Sequence, residues 1–177
     1  MNQPIPLIHV IVNEILDIID KPQSEVIEMK SILNCLNNHN VTSQEIYNWL
    51  FNNRNNSNHI IILADFHFLG IGTSVDKQKA FELFQEAANL GNAFGIFMIG
   101  YCYHYGTGTR IDVQKAFELY QKAANLGHDL AQANLASMYE NGEGIVEDIN
   151  KAIYWYKKSA EQGCQVAQNK LIKLENR

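Results

Sequence analysis

Lys79-Ala80-Phe81-Glu82-Leu83-Phe84-Gln85-Glu86-Ala87-Ala88-Asn89-Leu90-Gly91 returns 36 residues later, from Lys115 to Gly127, with almost the same letters. It returns more loosely a further 36 on, as Lys151-Ala152-Ile153-Tyr154-Trp155-Tyr156-Lys157-Lys158-Ser159-Ala160-Glu161-Gln162-Gly163. A fixed period of about 20–50 residues marks units that stack on their neighbours, because no single unit buries its own apolar face. Ala80, Phe84, Ala87 and Ala88 fall at i, i+4, i+7 and i+8, one face of a helix. The small residues admit a neighbouring helix, and the aromatic fills the groove beside it. Phe84, Tyr120 and Tyr156 are the expected core aromatics.

Working outward, each unit begins with a first helix carrying Leu63-Ala64, Ile99-Gly100 or Leu135-Ala136. A turn follows with glycines two apart: Gly70 and Gly72, Gly106 and Gly108, Gly142 and Gly144. The first of each pair suits a left-handed helix end, where a Cβ costs roughly 1–2 kcal/mol. Asp76, Asp112 and Asp148 then suit the N-cap of the second helix. Gly91, Gly127 and Gly163 end it. From Gln165 to Asn176 the pattern predicts one more first helix, with Ala167 and Leu171 in register. Its Lys170, Lys173 and Arg177 suit a terminal cap facing water.

The recurring pattern Leu-(Gly/Ala)-x-x-Tyr-x-x-Gly-x-Gly-x-x-x-Asp-x-x-Lys-Ala, closed by an aromatic, a small pair and Gly, resembles the Sel1-like repeat, a relative of the tetratricopeptide repeat. The resemblance covers about two-thirds of the chain, three times over. The first unit departs from it with His67 where the others have Tyr103 and Tyr139. The resemblance implies an all-α, right-handed α-solenoid of helix-turn-helix repeats. The chain is also similar to the repeat region of fungal kinase-associated Sel1-repeat proteins, which implies a kinase or another signalling protein as partner. No kinase motif is present, so kinase activity is not implied. The paired cysteines that staple each repeat in bacterial cysteine-rich relatives are absent, so any activity of that group does not transfer.

Residues 1–57 lack the repeat and read as about three helices. In the first, His9, Asn13, Asp17 and Asp20 form a polar stripe across Leu7–Asp20, leaving a wide apolar remainder that needs cover on more than one side. Pro4 and Pro6 suit its start and Pro22 its end. The second, from about Ser24 to Asn37, would bury Val26, Ile27, Ile32, Leu33 and Leu36, with Ser24 as cap. Thr42 to Glu45 reads as a capping box opening the third, which carries Ile46, Trp49 and Leu50. The region is expected to pack on the first repeat or on a partner. The predicted organisation is thus an N-terminal region, 1–57, and a repeat domain, 58–177, divided as 58–91, 92–127, 128–163 and a capping helix 164–177.

With 177 residues, 46% of them hydrophobic, the chain folds without needing a staple. A net charge of −5 disfavours nucleic acid and anionic membranes as partners. Cys35, Cys102 and Cys164 are odd in number and no two have metal-ligand spacing, so buried thiols in a reducing compartment are expected. With no basic, apolar leader at the N-terminus, cytoplasmic location is the expectation. Gly106-Thr107-Gly108-Thr109 lacks the strand and the Gly-Lys-Ser/Thr of a phosphate loop and recurs as an inter-helix turn. Cys102 and His104, two apart on a helix, point away from each other. Glu82 and Glu86 lack the pocket that acid–base work requires. No catalytic constellation, cofactor site or metal site emerges, and the chain reads as a non-enzyme.

The first helix of the second unit is unusually aromatic. Phe97, Met98, Tyr101 and Tyr105 stand at positions that hold Ala133, Asn134, Ser137 and Asn141 in the third unit. Two readings compete: gap-filling against the N-terminal helices, or a protein-binding surface on the concave face that first helices line in such stacks. The second gives candidate binding residues Asp65, Phe97, Met98, Tyr101, Tyr105, Asn134 and Ser137, with Asp65, Tyr101 and Ser137 recurring 36 residues apart. The expected function is a non-catalytic adaptor or scaffold that holds a protein or peptide. The alternative is a regulatory docking module of a kinase signalling pathway, acting through the N-terminal helices.

Overall fold

The computed structural model describes residues 5–21 and 25–175. Ten α-helices and no strands occur among the described residues, so the fold is all-α. They fall into two compact units, 1–90 and 91–177. The first unit holds α1 (Ile5–Ile19), α2 (Glu25–Asn38), α3 (Ser43–Asn52), α4 (Ser57–Leu69) and α5 (Lys77–Asn89). The second holds α6 (Ala93–Tyr105), α7 (Val113–Asn125), α8 (Asp129–Asn141), α9 (Ile149–Glu161) and α10 (Gln165–Glu175).

Helices α4/α5, α6/α7 and α8/α9 are the three hairpins. Each second helix starts one residue after its aspartate. Asp76, Asp112 and Asp148 accept hydrogen bonds from the backbone N–H of Lys79, Lys115 and Lys151 at 2.9, 3.0 and 3.0 Å. Each aspartate also donates its own N–H back to the first helix, to the carbonyl of His67, Tyr103 or Tyr139, at 2.8, 2.9 and 2.9 Å. The turn is therefore fixed from both sides by one residue. Gly70, Gly106 and Gly142 end the first helices in the left-handed conformation, with φ of 78°, 71° and 70°.

The second glycine of the turn has a different task. A Cβ on Gly144 would lie 3.0 Å from the carbonyl oxygen of Val113, the first residue of α7. A Cβ on Gly72 would run into the carbonyl of Ser43, the first residue of α3. So the turn rests on the start of the preceding second helix, and α3 stands to the first hairpin as α7 stands to the third. The capping box expected at Thr42 and Glu45 is present and fixes that start.

Phe84, Tyr120 and Tyr156 are fully buried, with Ala80, Ala87, Ala116, Ala123 and Ala152 beside them on their helices. At Gly100 the neighbouring helix comes close: a Cβ there would be 2.9 Å from the Tyr120 ring. Ser159, which replaces the first alanine of the small pair, donates its hydroxyl to the carbonyl of Asp129 at 2.8 Å. Cys35, Cys102 and Cys164 are all buried.

In the first unit α1 and α3 both pack on α4, so the N-terminal helices do cover the first repeat. Ile11, Val12, Ile15 and Ile19 are buried there. Some expectations need correction. Ile27 and Leu33 are exposed; the buried side of α2 is Ile32, Cys35 and Leu36. Val10 is exposed within the face expected to be covered, and His9 of the polar stripe meets the Trp49 ring at 6.0 Å. Lys170 is only partly in water: its ammonium also pairs with the buried Glu140 carboxylate at 2.8 Å, which ties α10 to α8. Pro4, Pro22, Ser24 and Arg177 lie outside the described residues, as does the side chain of Val26.

Candidate functional site

In the second unit the surface at issue is carried by α6 and α8. Asn92 caps α6 by accepting from the Gly95 N–H at 3.0 Å. His128 caps α8 through Nδ1, which accepts from the Ala131 N–H at 3.2 Å. Only an unprotonated Nδ1 can accept. Burial, which holds the His128 pKa below the ordinary histidine value against the opposing pull of Asp129, keeps it so.

The candidate residues separate by depth. Phe97 is buried, stacked on His128 at 4.7 Å and tilted against Tyr120 at 5.8 Å, so it packs α6 onto α7 and α8. Met98 is buried as well. Both side chains are inside, but the partners of Phe97 are on α7 and at the start of α8, not on the N-terminal helices. Tyr101 is half-buried, and its ring lies 4.6 Å from that of Tyr105. Tyr105 is 57% exposed. Its other neighbour is His104, stacked at 4.6 Å, which pairs with Glu143 at 3.2 Å. The outer tyrosine is thus held from two sides while most of its surface stays in water. On α8, Asn134 and Ser137 are half-buried, and Ser137 accepts from the Asn141 amide at 3.2 Å.

Asp65 belongs to the first unit and is 2% exposed, not at an open rim. Glu28 of α2 faces it, and burial with this second carboxyl holds the Asp65 pKa well above the ordinary carboxylate value. Glu28 is raised too, by its own burial first. Lys77 is the nearby cation; it pairs with Glu25 at 3.4 Å and lies over the Phe68 ring. A carboxyl in this setting serves the interior. Its row-mates Tyr101 and Ser137 remain partly accessible.

A second polar cluster was not foreseen. Glu14 of α1 accepts from the Cys35 thiol at 3.3 Å and meets His39 Nε2 at 2.9 Å. Burial and the facing carboxylate push the Cys35 thiol up to about 12. The available signal was the spacing Cys35-x-x-x-His39, two positions on one helical face.

The model of the Sel1 repeat matches residues 61–92, 93–128 and 129–164, one hairpin each and more than half of the chain. The chain belongs to the Sel1 repeat family. Solved structures of other Sel1-type proteins agree with it. It is 28% identical to a Sel1 repeat protein from Oxalobacter formigenes, over 70% of this chain and 95% of that one, with a TM-score of 0.64. It is 26% identical to c5321, described as a protective antigen present in uropathogenic Escherichia coli strains displaying an SLR fold. That likeness covers 94% of this chain and 40% of the antigen, at a TM-score of 0.68, so it extends beyond the three Sel1 hairpins into the N-terminal helices. Helicobacter pylori cysteine rich protein B shares the fold at 21% identity and a TM-score of 0.58, over 72% of this chain and 96% of that one. No curated protein matches. Among the described residues, no helix is long and apolar enough to cross a membrane.

Proposed function

We propose that this Sel1 repeat protein is a non-catalytic adaptor that holds another protein, or a helix or extended peptide from it, on the face made by its first helices. Sel1-type repeats generally serve as scaffolds for protein–protein interaction. The observation that carries the reading is Tyr105: a large aromatic, 57% exposed, braced by Tyr101 and His104. A braced aromatic loses little side-chain entropy on binding, and tyrosine is among the residues that dominate interface energetics. Tyr101 and Tyr105 form the centre in this reading, with Asn134 and Ser137 as polar contacts beside them. Phe97 and Met98 support the surface from beneath, and Asp65 supports the first unit from within. The concave face of the repeat stack is the side this surface would occupy.

Docking to a kinase through the N-terminal helices would need an open apolar face on α1. Burial of Ile11, Val12, Ile15 and Ile19 weighs against it. The test is to recover a partner with the intact chain and measure its affinity for Tyr101→Ala and Tyr105→Ala. Each should weaken binding by more than about 1 kcal/mol, roughly fivefold or more. Their melting curves should stay close to wild type. Normal binding by both variants would remove this surface from the account.

A further inference from the structure

We infer that Glu14, Cys35 and His39 form a binding site for a divalent transition-metal ion of the zinc type. The three donor atoms, a carboxylate oxygen of Glu14, Sγ of Cys35 and a ring nitrogen of His39, lie within 4.8 Å of one another among the described residues. Zinc bonds of about 2.3 Å to sulfur and about 2.0 Å to nitrogen or oxygen, at tetrahedral angles, separate ligand atoms by roughly 3.3–3.5 Å. The Cys35–Glu14 separation of 3.3 Å and the His39–Glu14 separation of 2.9 Å need open by only a few tenths of an ångström to reach those edges.

The local fold brings the donors together for a simple reason. Cys35 and His39 are one helical turn apart, so both project toward α1. The His39 N–H still bonds to the Cys35 and Leu36 carbonyls at 3.3 and 3.2 Å, which carries the helical turn through His39, just past the end of α2. Glu14 reaches across from α1, which packs on α2. Cys35 is buried, while Glu14 and His39 reach the surface. The site is therefore open on the carboxylate and imidazole side, where a water can complete four-coordination.

The donor set selects the ion by chemistry. One thiolate, one imidazole and one carboxylate match the borderline-soft character of zinc and fit calcium or magnesium poorly, since those take oxygen ligands. Binding converts the thiol to a metal thiolate and releases its proton to solvent. His39 then keeps its ring proton on Nδ1 and ligates through Nε2. The ion would clip α1 to α2, so metal occupancy would stabilise the N-terminal helices of the first unit.

Cobalt(II) is the direct probe, because a cobalt thiolate gives a sulfur-to-metal charge-transfer band that no oxygen or nitrogen site produces. Adding cobalt to the intact, reduced chain should give that band, saturating at one equivalent, and zinc should displace it. Cys35→Ser should abolish it. His39→Ala and Glu14→Gln should each weaken zinc binding by about tenfold or more. Cys102→Ser should leave the band unchanged. Zinc should raise the melting midpoint of the wild type and not that of His39→Ala. A folded wild-type chain that develops no charge-transfer band overturns the inference. So does a band that survives Cys35→Ser or disappears in Cys102→Ser. If Cys35→Ser fails to fold, the wild-type titration and the His39→Ala melt decide the question.

Discussion

Replacing Phe84 with alanine probes the register of the whole repeat. Phe84 sits in the middle of α5 with 0% exposure, its ring 6.4 Å from that of Phe68 on α4. Its neighbours on the buried side are Ala80 and Ala87, also at 0%, and Leu83. Alanines have no side-chain length with which to fill the space left behind, and two helix backbones cannot close on it without breaking the hairpin. The loss is therefore the transfer free energy of the ring plus most of a cavity term, about 3–5 kcal/mol. For a chain of this size that lowers the melting midpoint by roughly 6–20 °C, at about 2–4 °C per kcal/mol. The assay is urea unfolding followed by circular dichroism, with Leu90→Ala as control. Leu90 is 61% exposed and should change stability by no more than about 0.5 kcal/mol. A loss below about 1 kcal/mol for Phe84→Ala would mean that the ring is not a core residue and that the helix register is wrong.

Gly72 and Gly91 both have positive φ, 67° and 81°, yet should respond differently to alanine. At Gly91 nothing lies within 4 Å of the new Cβ, so the cost is the left-handed strain alone, about 1–2 kcal/mol; at Gly72 the Cβ meets the Ser43 carbonyl and the loss should be clearly larger in the same melts. Equal losses would show that the turn does not rest on α3. The buried Asp65 predicts a pH dependence. Its folded pKa is raised by burial and by Glu28, so the stability it contributes is complete below the ordinary aspartate value of about 3.9 and is lost as pH rises through the folded value. Asp65→Asn should flatten that alkaline-side decline, and a variant whose stability falls with pH as steeply as the wild type would contradict the assignment.

The repeats were readable because each part of the unit answers a backbone requirement with a particular residue type. Aspartate accepts at the N-cap, glycine takes the left-handed turn, and alanine lets a helix approach an aromatic. Those requirements are local, so they print directly onto the sequence three times. The N-terminal helices were harder. Ile27 and Leu33 have the composition of core residues, yet the buried side of α2 turns instead on Ile32, Cys35 and Leu36. Which apolar face is covered depends on α1, which packs on α2 and is a separate stretch of sequence. Asp65 failed for a related reason. Its place in the 36-residue period is local to the sequence, but it is buried, and the groups it faces there, Glu28 and Lys77, come from helices before and after it. Phe97 and Met98 were ambiguous by composition, since an aromatic or methionine at helical spacing serves core and interface alike. Only depth separates them from Tyr105. The Glu14–Cys35–His39 cluster had half its signal in the sequence. The Cys-x-x-x-His spacing was there, and the carboxylate came from another helix.

The most direct test of the adaptor account is site-specific crosslinking. A photoreactive phenylalanine analogue placed at position 105, on a first helix, is compared with the same group at position 154, on a second helix. Tyr154 is a fair control, since it is 51% exposed. The account predicts a discrete crosslink to a protein partner from position 105 and none to that partner from position 154. Crosslinking from position 154 alone, or equally from both, would contradict it.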